Sequence, residues 1–133
     1  MSMVFNKISK KNPQTKEVKY YPMIKLIGRK TEKDLAERLA RNTTLSPGEA
    51  RLAVEEMRQA VLDFLLDGYS VEISDWASFR PTFTAEGADT QEACTAALVK
   101  KVYCRVQVSK EFSDALQKAK FVPAGDLHTT DKN

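Results

Sequence analysis

The chain has few of the residues on which metal, disulfide and acid–base chemistry depend. Its 133 residues include two cysteines and one histidine. A zinc site needs about four ligands, so Cys94, Cys104 and His128 are too few, and we expect both cysteines to be reduced thiols. We expect Cys104 to be buried on the apolar face of a strand, with a redox switch as the alternative. The sequence therefore predicts no metal and no cofactor.

The signatures of catalysis and of membrane insertion are also missing. There is no glycine-rich phosphate loop and no nucleophile–base pair, so we expect that the protein is not an enzyme. No apolar run approaches the ~20 residues of a membrane span. The lysines near the N-terminus are not followed by the apolar stretch of a signal peptide. These absences favour a cytoplasmic protein, and its length predicts one small domain with extensions.

Two helices are predicted from their capping residues. Ser46 is a good N-cap, Pro47 suits the first helical position and Glu49 completes a capping box, so a helix should begin at Pro47. An apolar stripe then recurs at helical spacing until Asp67-Gly68 supplies a glycine end. A shorter helix should begin at Thr31 and end in the polar residues 42–44. The two form a helical hairpin.

After Gly68 the apolar period changes from 3.6 to 2, which predicts strands. Val71 and Ile73 should face one way, and a turn at 74–75 should separate this strand from a second at 76–79. The return strand is predicted at Val99–Val108. In it Val102, Cys104, Val106 and Val108 alternate with Lys101, Tyr103, Arg105 and Gln107, so one face is apolar and the other basic. Ser109 should cap a final helix.

The N-terminal segment is predicted to form a separate β-hairpin. Residues 4–9 alternate, Asn12-Pro13-Gln14-Thr15 is typical of a turn, and residues 18–27 are rich in β-forming side chains. Residues 1–31 contain eight basic side chains and one acidic side chain, whereas residues 32–79 contain five basic and ten acidic ones. The net charge of +3 therefore conceals a basic N-terminal segment.

This order of elements resembles the HU/IHF-type bacterial histone-like family from Thr31 to Phe121. Gly68–Ile73 is similar to the family's Gly-x-x-Val-x-Leu strand, and Asp75–Phe79 to its Gly-Phe-Gly-(Ser/Thr)-Phe turn. Val106–Phe112 resembles the family's Phe-x-Pro-Gly-Lys-x-Leu segment. The resemblance implies an α+β HU/IHF-like fold: a helical hairpin, a β-hairpin arm and a C-terminal helix, assembled as an intertwined homodimer. The helix from Pro47 to Asp67 should lie at the two-fold axis.

The extra N-terminal hairpin, residues 1–30, resembles the divergent HU-like subgroup of Bacteroidetes-type bacteria. Its turn, Lys11–Glu17, is similar to the tip of the usual HU arm, where a proline wedges between base steps. For Pro13 that role and ordinary turn chemistry are both open. Residues 31–121 should form the HU-like domain, and residues 122–133 a disordered tail.

The resemblance and the charge distribution together predict an architectural, nucleoid-associated DNA-binding protein with no sequence specificity or only weak specificity. Phosphate contacts are expected from ten basic residues: Lys7, Lys10, Lys11, Lys16, Lys19, Arg80, Lys100, Lys101, Arg105 and Lys110. The lysines of the N-terminal hairpin have a second interpretation, as a solvated strand edge that resists aggregation.

The composition of the expected arm tip, Ala85–Leu98, argues against DNA binding by the tip. The tip carries Glu86, Asp89 and Glu92 and no basic residue, and its alanine-rich part, residues 90–97, predicts a short helix. Phosphate would repel these carboxylates. The alternative function is therefore an HU-like dimer that has lost its DNA-arm chemistry and serves as a protein-interaction or structural module.

Overall fold

The computed structural model describes residues 1–125, which form three α-helices, six strands and one short 3-10 helix. In chain order these elements are β1 (Met3–Lys11), β2 (Val18–Lys25), α1 (Glu32–Asn42), α2 (Pro47–Leu66), β3 (Val71–Ile73), β4 (Ala77–Ala85), the 3-10 helix (Ala96–Leu98), β5 (Val99–Val108), α3 (Lys110–Leu116) and β6 (Phe121–Pro123). The fold is mixed α+β, as predicted. The chain divides into a first unit, made of Met1–Lys30 and the segment from Ala115 onward, and a second unit, Thr31–Asp114.

The helices of the second unit begin and end where their capping residues predict. At the start of α2, the Glu49 N–H donates to Ser46 Oγ over 3.2 Å, and the Ser46 N–H donates to Glu49 Oε1 over 3.2 Å. Hydrogen bonds from Ser46 hold the pKa of Glu49 below its usual value. At the start of α1, the Thr31 N–H donates to Asp34 Oδ2 over 2.8 Å. Both predicted starts are confirmed.

Gly68 ends α2 with a φ of +91°, a conformation that glycine adopts without the strain of a Cβ atom. The chain then enters β3, where Val71 and Ile73 are half-buried while Glu72 is exposed, as the period of 2 predicts. A turn with Asp75 at a φ of +62° leads into β4. No helix in residues 1–125 combines the length and apolarity needed to cross a bilayer.

The sheet of the second unit has the strand order β3-β4-β5, and all its pairs are antiparallel. We call the β4–β5 pair the arm. The register of the arm shifts between Thr84 and Ala85, where β5 contains a bulge. The helix predicted for residues 90–97 is wrong: the loop forms a turn followed by the 3-10 helix. An alanine-rich segment of eight residues is too short to offset the cost of helix nucleation. In addition, the Glu86 N–H donates a hydrogen bond to the Leu98 carbonyl across the loop.

The sheet of the first unit has the order β2-β1-β6. Its β1–β2 hairpin is the predicted N-terminal one. Strand β6 is parallel to β1, with Val122 opposite Val4 and Pro123 opposite Phe5. The prediction of a disordered tail from residue 122 is therefore wrong for Val122 and Pro123, because β1 offers them an open edge; residues 126–133 lie outside the described residues.

The buried core of the described chain is small. Four apolar residues are buried, Val4, Ala36, Ala50 and Ala77, and no large side chain is fully buried. Ala36 and Ala50 lie on α1 and α2, which pack against each other. The expected burial of Cys104 is wrong: both cysteines are free thiols and exposed. Val102 and Val106, on the same face of β5, are exposed as well.

Candidate nucleic-acid interface

The register of the arm collects polar and basic side chains on one face. Residues directly opposite each other in an antiparallel pair project to the same side of the sheet. One side of the arm therefore carries four cross-strand pairs, which we call the basic arm face: Ser78 with Gln107, Arg80 with Arg105, Thr82 with Tyr103, and Thr84 with Lys101. These pairs place three of the predicted phosphate-binding residues on a single face.

Among residues 1–125, no ion pair neutralises the positive charge of the basic arm face. Arg80 lies directly opposite Arg105, an arrangement of like charges that destabilises a strand pair. None of the eight residues of this face is a carboxylate, but Glu72 of β3 lies directly opposite Ser78 and so projects to the same side of the sheet at the base of the arm. The ion pairs Arg51–Glu55 and Lys100–Glu86 both lie outside this face. The face is thus suited to an anion that lies across both strands.

Lys100 and Lys110, which are also predicted phosphate ligands, lie outside the four pairs, at the two ends of the basic arm face. Lys100 follows Val99 at the bulge, and its Nζ is 2.6 Å from Glu86 Oε1. Lys110 is the first residue of α3 and lines a cavity together with Glu72, Asp75 and Glu111. The Lys100 ammonium group is therefore paired with a carboxylate, which makes Lys100 a weaker phosphate ligand than the cations of the basic arm face.

The opposite face of the arm is apolar and largely uncovered. Phe83 is 56% exposed, Val102 68% and Val106 61%. Helix α2 also has exposed apolar side chains: Phe64 is 53% exposed and Leu66 75%. Apolar surface of this extent is typical of an interface that another chain covers.

The five predicted lysines of the N-terminal hairpin are divided between its two faces. Lys10 and Lys19 are directly opposite each other on one face, and Lys10 Nζ lies 5.6 Å from the centre of the Tyr21 ring. Lys7 and Lys11 are on the other face by the alternation of β1. Lys16 ends the turn with a φ of +61°. The lysines therefore surround the tip of the hairpin instead of forming one flat surface.

The turn of this hairpin is built by Asn12. Its Oδ1 accepts the Gln14 N–H over 2.9 Å, and its backbone carbonyl accepts the Lys16 N–H over 2.8 Å. Asn12 also closes the hairpin by donating its N–H to the Glu17 carbonyl over 2.9 Å. These contacts are ordinary turn chemistry and leave the Pro13 side chain exposed.

The prediction of site residues missed Tyr103 and Glu86. Tyr103 lies between Lys101 and Arg105 on the basic arm face, and the alternation of β5 contains the signal that places it there. Glu86 was predicted to be part of a repulsive tip, whereas it pairs with Lys100. No group of three or more metal-ligating side chains occurs in residues 1–125.

A family model described as an HU domain fused to a wHTH, Ig or glycine-rich motif (HU-HIG) matches residues 1–123. The chain belongs to this HU-like family. The match includes the N-terminal hairpin and β6 as well as the helical hairpin and the arm, and it confirms the predicted resemblance. None of the curated proteins matches the chain.

The same fold occurs in a crystal structure of a candidate bacterial DNA-binding protein from Bacteroides vulgatus ATCC 8482. The two chains are 18% identical and superpose with a TM-score of 0.61 over 91% of this HU-HIG chain. The alignment covers 48% of the Bacteroides chain, so the present chain spans about half the length of that protein.

Proposed function

We propose that this HU-HIG chain binds duplex DNA through phosphate contacts and acts as an architectural, nucleoid-associated protein in the cytoplasm. The observation that carries this proposal is the basic arm face, with Arg80 opposite Arg105 and Lys101 further along the same face of β5. The solved relative from Bacteroides vulgatus, described as a candidate DNA-binding protein, agrees with this function.

The chemistry of the face suits the DNA backbone. Guanidinium groups bind phosphate through two parallel N–H donors and remain charged at every physiological pH. The hydroxyls of Ser78, Thr82 and Thr84 can donate to the same oxygens. Contacts of this kind position a protein on the duplex and do not distinguish base sequences. We therefore expect similar affinity for unrelated duplexes.

The N-terminal hairpin is proposed as a second contact region. Lys10 opposite Lys19 repeats the like-charge arrangement of the arm, and Lys7, Lys11 and Lys16 extend the positive surface around the tip. A neighbouring polyanion would offset the repulsion between Lys10 and Lys19. Lys110 is proposed as a further contact at the base of the arm, and Lys100 as a weaker one because it is paired with Glu86.

A homodimer is proposed from the exposed apolar surface. The described chain buries four apolar residues, while Phe64, Leu66, Phe83 and Val102 are each more than half exposed. A chain of this size needs a larger core to fold stably. We propose an intertwined second copy that covers the apolar face of the arm and the stripe on α2. A solution mass that stays monomeric at micromolar concentration would remove this proposal.

The function is tested by fluorescence anisotropy with a labelled ~30-base-pair duplex and a scrambled duplex, at 50 and 200 mM salt. If a dimer contacts about six phosphates, the logarithm of the affinity should fall against the logarithm of the salt concentration with a slope near −5. Equal, salt-sensitive binding of both duplexes is expected. No binding at 50 mM salt would contradict the proposal.

The second candidate function, a protein-interaction or structural module, is favoured by the arm tip. Glu86 neutralises Lys100, and Asp89 and Glu92 leave the tip acidic. Strand β2 is exposed along its whole length and offers an edge to a partner strand. This function predicts partner binding that depends little on salt, together with no measurable affinity for duplex DNA.

A further inference from the structure

The arm tip presents two carboxylates that have no cationic partner in residues 1–125. Its acidic residues are Glu86, Asp89 and Glu92, and it has no basic residue. Glu86 is paired with Lys100, whereas neither ion pair of the described residues involves Asp89 or Glu92. Both side chains are exposed. The negative charge of the arm tip is therefore available to another molecule.

The arm tip holds these carboxylates on an ordered turn. Thr90 Oγ1 accepts the Ala93 N–H over 3.2 Å, and the Cys94 N–H donates to the Gln91 carbonyl over 3.2 Å. An ordered turn loses less conformational entropy on binding than a flexible loop. The nine residues of β4 span about 26 Å, so the tip projects far beyond the base of the arm. This position suits a contact with a second molecule.

The N-terminal hairpin contains a cavity of the opposite charge. The cavity, which we call the basic groove, has a volume of about 420 Å³ and lies beside the hairpin turn. Lys10, Lys11 and Lys19 line it, together with one carboxylate, Glu17. Because Lys10 lies directly opposite Lys19, their positive charges repel each other, and no ion pair of residues 1–125 involves them. An anionic group in the groove would offset this repulsion.

The arm tip matches the basic groove better than the acidic helices do. Helices α1 and α2 contain five basic side chains among their carboxylates, and Glu55 is already paired with Arg51. In the arm tip, Asp89 and Glu92 are three residues apart, so their Cα atoms are at most about 11 Å from each other. Residues opposite each other in a strand pair have Cα atoms about 5 Å apart, and lysine side chains are long and flexible. The two carboxylates can therefore each reach one lysine of the groove.

We propose that the arm tip of one copy of this chain docks in the basic groove of a second copy, with Asp89 and Glu92 paired to Lys10 and Lys19. The docking itself stands on the charges and the groove alone. Its consequence for DNA rests on the proposed function: Lys10 and Lys19 are also proposed phosphate contacts, so a docked tip competes with DNA for the same ammonium groups.

The test cross-links the full chain with a water-soluble carbodiimide, which joins a carboxylate to a neighbouring amine. Unlabelled chains and chains labelled with heavy isotopes are unfolded together and refolded as a mixture. Mass spectrometry should find cross-links between the arm tip and the basic groove that join a heavy peptide to a light one. Their yield should fall when the salt concentration is raised from 50 to 200 mM, because salt screens exposed charges. Glu86 and Lys100, 2.6 Å apart within one arm, are the internal control and should be cross-linked within one isotopic form.

A charge swap keeps the test independent of any single substitution. Asp89→Lys and Glu92→Lys combined with Lys10→Glu and Lys19→Glu exchange the charges of tip and groove. This variant should again give cross-links between heavy and light peptides, now from carboxylates of the groove to amines of the tip.

The competition with DNA is tested with Asp89→Asn combined with Glu92→Gln, which neutralises the arm tip. The matched control is Glu37→Gln combined with Glu56→Gln, which removes two carboxylates from exposed positions on α1 and α2. Both variants change the net charge equally. We expect the neutral tip to bind duplex DNA about 3-fold more tightly than the control at low salt, in the range of one or two exposed ion pairs.

The outcomes separate the docking from the proposed function. Absence of cross-links between tip and groove, with the Glu86–Lys100 control present, would overturn the docking, as would cross-links found only within one isotopic form. Mixed cross-links without any duplex binding would support the docking and overturn the proposed function. Mixed cross-links with equal duplex affinities of the two neutralised variants would support the docking and overturn the competition with DNA.

Discussion

Replacing Arg105 by glutamine should weaken DNA binding without lowering the stability of the fold. The substitution removes one guanidinium from the Arg80–Arg105 pair and keeps a polar side chain of similar length. If Arg105 contacts one phosphate, its loss should make the salt slope shallower by about 0.9 per chain, and by about 1.8 for a dimer. Between 50 and 200 mM salt, each lost contact corresponds to about a 3.5-fold smaller decrease in affinity.

The same change should not weaken the fold. Like charges directly opposite each other destabilise a strand pair by a fraction of 1 kcal/mol, about 0.2–1 in the range known for cross-strand pairs. Arg80 and Arg105 are both exposed, so solvent and salt reduce this repulsion further. We expect the urea midpoint of Arg105→Gln to be equal to that of the wild type or slightly higher.

The matched control is Arg38→Gln, which removes the same charge from an exposed position on α1. It should leave the salt slope within error of the wild type, because a phosphate contact is local, whereas the net charge changes equally in both variants. Two results would refute the reasoning: equal slopes for Arg105→Gln and Arg38→Gln, or a fall in the urea midpoint of Arg105→Gln that accounts for its weaker binding.

Three further predictions concern the turns, the caps and the N-terminal hairpin. Gly68→Ala should lower the free energy of unfolding by about 1 kcal/mol, because alanine is strained at a φ of +91°. Gly48→Ala should raise it by up to about 1 kcal/mol, because Gly48 lies inside α2 with open space around it. Urea denaturation measures both changes. Ser46→Ala should cost about 1 kcal/mol through the lost cap. Because the pKa of Glu49 is lowered in the fold, its ionised form stabilises the protein above the unfolded pKa, and this contribution is lost as the pH falls through the folded pKa. The gap in thermal midpoint between wild type and Glu49→Gln should therefore close on acidification, and a gap that is constant with pH would contradict the cap. The last prediction concerns three lysines near the hairpin turn, Lys10, Lys11 and Lys16. Reversing them to glutamate should weaken every duplex about equally in the anisotropy assay, and unchanged binding would remove the hairpin from the interface.

The sequence predicts the second unit well because its signals are local. Ser46 and Gly68 sit at the ends of α2, and each acts through hydrogen bonds or backbone angles within a few residues. The alternation of β5 likewise separates a basic from an apolar face. Such signals need no knowledge of the rest of the chain.

The features that the sequence does not predict depend on distant residues. Strand β6 forms because β1 has an open edge, and the sequence around Val122 contains no pattern that indicates this pairing. The exposure of Cys104 depends on whether another chain covers the arm. In the candidate site, Arg80 lies opposite Arg105 only because of the cross-strand register of the arm. Beyond Thr84, a bulge shifts this register by one residue and places Lys100 next to Glu86.

The parallel pairing of β6 with β1 has a consequence for the order of folding. Met3 lies opposite Phe121, more than a hundred residues further along the chain, while the whole second unit lies between them in sequence. The β1–β2 hairpin can form early from local contacts, but the third strand of its sheet has to close a very long loop, which is entropically costly. A folded second unit shortens that loop. Completion of the first sheet should therefore follow the folding of the second unit, and anything that stabilises the second unit should also protect the amides of β6 from hydrogen exchange.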